Sequence, residues 1–64
     1  MILNGTDVTF EGSVADLVAE RFGANAGRGI AVAVNGTVVA RSAWDSTALV
    51  DADRVDIVTA VQGG

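Results

Sequence analysis

The sequence contains no cysteine and no histidine, and it also lacks lysine, tyrosine and proline. Without cysteine there is no disulfide, no thiol redox centre and no cysteine-based zinc or iron–sulfur site. Without histidine the chain lacks the side chain that most often serves as a general base or a metal ligand. These absences disfavour side-chain catalysis. We also expect no metal site, because the carboxylates that are present lack the spacing of an EF-hand loop.

The residues that are present suffice for one folded domain. The 64 residues are 50% hydrophobic and 19% charged, whereas disordered chains are poor in apolar residues and rich in charge. The net charge of −4 repels nucleic-acid backbones and anionic membrane surfaces. The longest apolar run, residues 30–34, is far shorter than the ~20 residues of a membrane helix. Because the N-terminus lacks a secretory pattern, we expect a soluble cytoplasmic protein with no nucleic-acid or membrane partner.

The hydrophobic pattern predicts two hairpins with a helix between them. Asn-Gly dipeptides mark both hairpin turns, because both residue types tolerate positive φ. The predicted strands of the first hairpin are 2–3 and 8–10, and those of the second are 30–34 and 37–39. Ser13 is a candidate N-cap, and apolar residues at i, i+3, i+4 and i+8 predict a helix over 14–22 that ends at Gly23.

The remaining segments complete one sheet. Residues 42–45 predict a single helical or 3₁₀ turn, 48–50 a brief strand and 54–60 the last strand. The last strand is the least polar on both faces, so we expect it to be central and parallel to the first. The pattern indicates an α+β domain over 1–60, with a mixed sheet of four to five strands packed on one helix. This is the description of the β-grasp, or ubiquitin-like, fold, and residues 61–64 would form a flexible tail.

Side chains that could carry chemistry have simpler interpretations. Asp51 and Asp53 could form an acid–base pair, but they lie in a predicted turn, where aspartate bonds to the backbone. Residues 27–29, Gly-Arg-Gly, lack the strand, the helix and the Lys-Ser/Thr ending of a phosphate-binding loop. Trp44 is favoured as a core residue over a ligand-stacking residue, because the chain has only three aromatics.

The chain ends in Gly63-Gly64 directly after the last predicted strand. A terminal glycine pair can be a frayed end or a cloning remnant. It can also serve chemistry, because a terminal carboxylate becomes reactive when an enzyme converts it to an acyl-adenylate with ATP. To reach a buried nucleotide site, the carboxylate must follow a narrow and flexible segment of backbone. Glycine residues, which have no side chain, supply such a segment.

Several segments resemble one known family. The match is carried by Ala33–Val39, Arg41–Trp44, Thr47, Leu49, Asp51–Val55 and Ile57–Gly64, and more loosely by Ile2–Gly5 and Val14–Leu17. On these residues the chain resembles the ThiS family, the β-grasp sulfur carriers of thiamine thiazole synthesis, over essentially its whole length. The family usually has glycine where this chain has Ala52, which costs about 1 kcal/mol if the position needs left-handed geometry.

The resemblance implies a protein co-substrate and not an enzyme. An adenylating enzyme similar to ubiquitin-activating enzymes would join AMP from ATP to the carboxylate of Gly64. A sulfur donor system would then displace AMP to leave a thiocarboxylate, and the thiazole synthase would take this sulfur into the thiazole ring of thiamine. Gly63 and Gln62 would line the passage into the partner sites, and the chain itself would bind no cofactor.

The strand pattern adds a docking surface. Val58 and Ala60 fall on the face of the sheet that the helix leaves open, beside Ala31 and Ala33. An open apolar face often marks a docking surface, here for the adenylating enzyme and the synthase, with acidic residues steering basic partners. Three alternatives stay open: a carrier for molybdopterin synthesis, a ubiquitin-like modifier of other proteins, and a binding module with no terminal chemistry.

Overall fold

A computed structural model gives the structure of the protein over residues 1–23 and 29–59. In chain order the elements are β1 (Ile2–Leu3), β2 (Thr6–Asp7), β3 (Gly12–Ser13), α1 (Val14–Phe22), β4 (Ile30–Val34), β5 (Thr37–Val39), a 3₁₀ helix (Arg41–Ser46), β6 (Ala48–Leu49) and β7 (Arg54–Thr59). Neither helix in these ranges is long and apolar enough to cross a membrane. The cytoplasmic location stays a prediction.

Five strands form one mixed sheet in the order β2-β1-β7-β4-β5. The strand β7 lies at the centre, parallel to β1 and antiparallel to β4. This arrangement confirms the predicted α+β class, the central position of the last strand and its parallel pairing with the first. The two edges of β7 are therefore held by strands that lie on either side of α1 in the sequence.

The helix α1 begins and ends where its capping residues predict. The Asp16 N–H donates to Ser13 Oγ at 3.1 Å, and the Ser13 N–H donates to the Asp16 carboxylate at 3.0 Å. This reciprocal pair is a capping box. Gly23 follows at φ 58, a backbone conformation that glycine adopts without steric cost. The helix predicted over 14–22 is confirmed.

One hydrophobic core lies between α1 and the sheet. The helix and the sheet contribute these buried side chains: Val14, Leu17, Val18, Leu3, Val32 and Val55. Trp44 joins the core from the 3₁₀ helix, where it is 6% exposed and its Nε1–H donates to the Val39 carbonyl at 3.0 Å. Both the predicted short helical turn and the core position of Trp44 are confirmed.

The first hairpin is tighter than the sequence predicted. Asn4 (φ 49) and Gly5 (φ 85) form a two-residue turn, so the chain returns immediately as β2 and not over 8–10. The predicted second strand is therefore wrong. Pairing extends one residue beyond β2, because the Val8 N–H donates to the Met1 carbonyl at 2.8 Å. Turn geometry, and not the apolar pattern of residues 8–10, sets where the strand begins.

A separate two-stranded sheet consists of β3 and β6. The antiparallel register pairs Gly12 with Leu49 and Ser13 with Ala48. The predicted strand at 48–50 is confirmed over its first two residues, whereas β3 was not predicted. Gly12 has φ 142, and a Cβ there would lie 2.9 Å from Asp16 Oδ2. Glycine therefore fits beside the capping carboxylate where a larger residue is strained.

The turn before β7 has ordinary backbone geometry. Ala52 is not among the residues with positive φ, so the alanine that departs from the family pattern carries no left-handed strain. The possible cost of about 1 kcal/mol therefore does not arise. The strand β7 is described as far as Thr59, and Ala60, its predicted last residue, lies outside the described residues.

Candidate functional site

The predicted carrier tail follows directly from the central strand. On its β4 side, β7 is paired from Val55 opposite Val34 to Thr59 opposite Ile30. The pairing thus continues to the last described residue of the strand. The predicted site residues Gln62, Gly63 and Gly64 lie outside the described residues, as does Ala60, and their roles stay predictions.

The β1 side of β7 is held by a side chain beyond the end of β1. The Asn4 N–H donates to the Val55 carbonyl at 2.9 Å, and the backbone then turns away at φ 49. The Asn4 side-chain amide continues the contact: its Oδ1 accepts from the Ile57 N–H at 2.7 Å, and its Nδ2–H donates to the Ile57 carbonyl at 3.2 Å. We call these two bonds the Asn4 bridge. The sequence analysis did not identify it.

The face of the sheet opposite α1 carries a row of apolar side chains. Val58 is 63% exposed and pairs with Ala31, and Val38 is 72% exposed and pairs with Ala33. Asp56 also pairs with Ala33 and adds a carboxylate to this face, because directly opposite residues share a face. We call these five residues the open face. The structure places Val58 as predicted, and its role in docking stays a prediction.

Asp53 joins two turns at the other end of β7. Its Oδ2 accepts from the Val50 N–H at 2.8 Å, and its Oδ1 accepts from Asn35 Nδ2–H at 3.0 Å. Asn35 Oδ1 in turn accepts from the Arg54 N–H at 3.0 Å. The bond from Val50, and then that from Asn35, lower the pKa of Asp53 below its usual value of 3.8, because both favour the charged form. The predicted turn role of Asp53 is confirmed.

The acidic residues and the Gly-Arg-Gly segment were the other candidates for a binding site. Within residues 1–23 and 29–59, no three acidic side chains lie where they could hold a metal ion. Of the Gly-Arg-Gly segment at 27–29, only Gly29 is among the described residues. That the chain binds no metal and no cofactor stays a prediction.

A mixed five-stranded sheet with the last strand at its centre, packed on one helix, defines the class of ubiquitin-like β-grasp proteins. The ThiS family matches residues 1–64. A crystal structure of the thiamine biosynthesis protein ThiS from Geobacter metallireducens matches with a TM-score of 0.79 and 30% identity, covering 98% of this chain and 96% of that chain. No curated protein matches significantly. The chain belongs to the ThiS family, the small sulfur carriers of thiamine biosynthesis.

Proposed function

We propose that the chain carries sulfur on its own C-terminus. The Gly64 carboxylate is adenylated and converted to a thiocarboxylate, which supplies the sulfur of the thiazole ring of thiamine. The observation that carries this proposal is the family match over residues 1–64, which includes Gly63 and Gly64. The chain is then a co-substrate, and ATP is consumed by the activating enzyme and not bound by the chain.

The proposed chemistry takes place at one carbonyl carbon. The terminal carboxyl group has a pKa of about 3.5 and is ionised at neutral pH. One of its oxygens attacks the α-phosphorus of ATP, and pyrophosphate leaves with the electrons of the broken P–O bond. Hydrosulfide then attacks the acyl carbon and releases its proton to solvent. The C–O bond to AMP breaks, AMP leaves with the electron pair, and a thiocarboxylate remains.

The position of β7 supports delivery of this carboxylate to a buried site. The strand is paired with β4 as far as Thr59 opposite Ile30, so the base of the tail is fixed. Five residues follow Thr59, and fully extended they reach about 17 Å. Gln62 and Gly63 would line the passage just before Gly64, where a residue without a side chain occupies the least width.

We propose that the open face docks on the adenylating enzyme, and that the thiazole synthase uses the same face in turn. Val58 lies on the strand that leads to the tail, so docking through it brings the tail to the same partner. Asp56 and the net charge of −4 favour a partner surface with basic residues around an apolar contact. Ala60 would extend the apolar row toward the tail.

The test of the terminal chemistry is intact-mass spectrometry. The chain is incubated with ATP and the adenylating enzyme of the same source, with and without a sulfur donor system. The full chain is expected to gain AMP without the donor, and to exchange one oxygen for sulfur with it. Two matched variants, one with Gly64 deleted and one with a glycine added after Gly64, move the carboxylate by one residue in opposite directions. Both are expected to gain no AMP.

The outcomes separate the competing functions. Adenylation of either variant at the wild-type rate contradicts the assignment of Gly64. A carrier for molybdopterin synthesis would acquire sulfur but would not pass it to the thiazole synthase. A ubiquitin-like modifier would form isopeptide bonds to lysines of other proteins, and a binding module would show no change in mass.

A further inference from the structure

Asn4 lies in the first hairpin turn but contacts the strand that leads to the tail. Its side chain bonds to Ile57, which is 53 positions away in the sequence. The amide oxygen and nitrogen supply the acceptor and the donor that a further peptide group of β1 would offer. Because φ is 49 at Asn4, the backbone leaves β7 while the side chain stays. The Asn4 bridge therefore lengthens the parallel pairing by one step.

The two edges of β7 are held to different lengths. On the β4 side, pairing continues to Thr59 opposite Ile30. On the β1 side, strand pairing ends at Val55, and the Asn4 bridge extends the contact to Ile57. Backbone groups of alternate residues point to the same edge, so Thr59 is the next residue on that side. Within the described residues, neither β1 nor β2 pairs with it. The Asn4 bridge is thus the last described hydrogen bond of this edge before the tail.

We propose that Asn4 is a positioning residue for the adenylation of Gly64. It fixes the edge of β7 from which the tail departs, and so aligns the tail with the nucleotide site of the adenylating enzyme. This inference rests on the proposed function and assigns a role in it to a residue far from the terminus. The bridge lies in the plane of the sheet, whereas the open face projects out of that plane. Loss of the bridge therefore leaves docking intact and reduces the fraction of docked complexes with a correctly placed carboxylate.

A matched pair of variants isolates the bridge. Asn4→Gly removes the side-chain amide, and glycine adopts φ 49 without strain. Asn35 is the control, because it has φ 52 and also precedes a glycine in a hairpin turn. Its side chain likewise makes two hydrogen bonds, to Asp53 and to the Arg54 N–H, at the opposite end of β7. Asn35→Gly therefore also removes a side-chain amide and its two hydrogen bonds, but at the end of β7 that is far from the tail. Asn4→Asp keeps the acceptor for the Ile57 N–H and loses the donor.

The expected effect is a loss of kcat without a loss of docking. Asn4→Gly is expected to lower kcat for adenylation roughly fivefold to thirtyfold, the size that follows from freeing about one residue of backbone. Its Kd for the adenylating enzyme, measured by calorimetry, is expected to match that of the wild type. Asn35→Gly is expected to lose a similar amount of thermal stability while its kcat and Kd stay unchanged. In hydrogen exchange, the Ile57 amide should lose protection in Asn4→Gly and keep it in Asn35→Gly.

Equal kcat values for the two glycine variants overturn the proposal. It is also overturned if Asn4→Gly binds the adenylating enzyme more weakly but keeps the wild-type kcat. If circular dichroism shows that Asn4→Gly does not fold, Asn4→Asp decides: a kcat below that of the wild type at unchanged Kd supports the role, and a wild-type kcat overturns it. Failure of the proposed function looks different, because the wild-type chain itself would then accept no AMP. In that case both proposals fall together.

Discussion

Replacing Asp53 with alanine removes two hydrogen bonds that hold the turns at one end of the sheet. These are the bonds from the Val50 N–H at 2.8 Å and from Asn35 Nδ2–H at 3.0 Å. A hydrogen bond to a charged group contributes about 1.5 to 3 kcal/mol, and partial exposure of this carboxylate to water puts the two together nearer 2 kcal/mol. A domain of this size unfolds with roughly 3 to 10 kcal/mol. We therefore expect Tm to fall by about 10 °C.

The same carboxyl makes stability depend on pH. The pKa of Asp53 is lower in the folded chain than its ordinary value of 3.8, so the folded state binds this proton less readily than the unfolded state. The stabilisation is therefore fully present above the unfolded value and is lost as pH falls through the folded pKa. Asp53→Asn keeps an acceptor oxygen but does not titrate. We expect it to give a flatter dependence of the unfolding free energy on pH in this acidic range.

The fluorescence of Trp44, the single tryptophan, measures both effects: thermal unfolding gives Tm, and urea unfolding at several pH values gives the unfolding free energy. Asp51→Ala is the matched control, because Asp51 is exposed in the same turn. Surface substitutions of this kind stay within about 0.5 kcal/mol. The reasoning is refuted if Asp53→Ala lowers the unfolding free energy by no more than about 0.5 kcal/mol. It is also refuted if Asp53→Ala and Asp51→Ala lower it equally. An Asp53→Asn profile that runs parallel to the wild-type profile refutes the pH argument.

Two further predictions concern the open face and the helix. Val58→Asp is expected to weaken binding to the adenylating enzyme about tenfold or more, since it loses roughly 1 kcal/mol of apolar contact and buries an unpaired carboxylate. Val50→Asp is the control for the calorimetric measurement, because Val50 is 57% exposed but lies outside the five-stranded sheet. Equal affinities of Val58→Asp and Val50→Asp for the adenylating enzyme would contradict the docking role. Ser13→Ala removes the bond to the Asp16 N–H and is expected to cost about 1 kcal/mol in urea unfolding. Ser13→Asp should retain most of that stability. If Ser13→Ala is as stable as the wild type, the cap contributes little.

The helix and the second hairpin could be predicted because each carries its own local signal. Ser13 and Asp16 specify the first turn of α1, Gly23 specifies its end, and the buried positions repeat at helical spacing. Asn35 and Gly36 both have positive φ between two apolar strands, which fixes the hairpin register without help from the rest of the chain.

The first hairpin and the two-stranded sheet lack such signals. Thr6 and Asp7 form β2, but both are exposed, so no alternation of apolar and polar residues marks the strand. Val8 and Phe10 do show that alternation, and for this reason the second strand was wrongly predicted at 8–10. The strands β3 and β6 are two residues each, too short for any period to show, and their pairing depends on where α1 and the 3₁₀ helix pack.

In the candidate site, the pattern could indicate Val58 but not the Asn4 bridge. A period of two along β7 places Val58 on the face opposite the buried Val55. The contact between Asn4 and Ile57 depends instead on the register of β1 against β7, which only the complete fold determines. An asparagine before a glycine is already explained by its positive φ, so the local sequence gives no reason to assign it a second role.

The central place of β7 also makes assembly of the sheet depend on the described strand that is synthesised last. The β1–β2 hairpin and the β4–β5 hairpin do not pair with each other, and within the described residues only β7 connects them. Ile2 and Arg54 are far apart in sequence, and contacts of this kind carry a loop-closure cost and are typical of slower folding. During synthesis the five-stranded sheet therefore cannot form until β7 has emerged, because an isolated two-stranded hairpin is only marginally stable in water. A chain that stalls or is cleaved before β7 lacks the strand that lies between the two hairpins, so the five-stranded sheet cannot assemble.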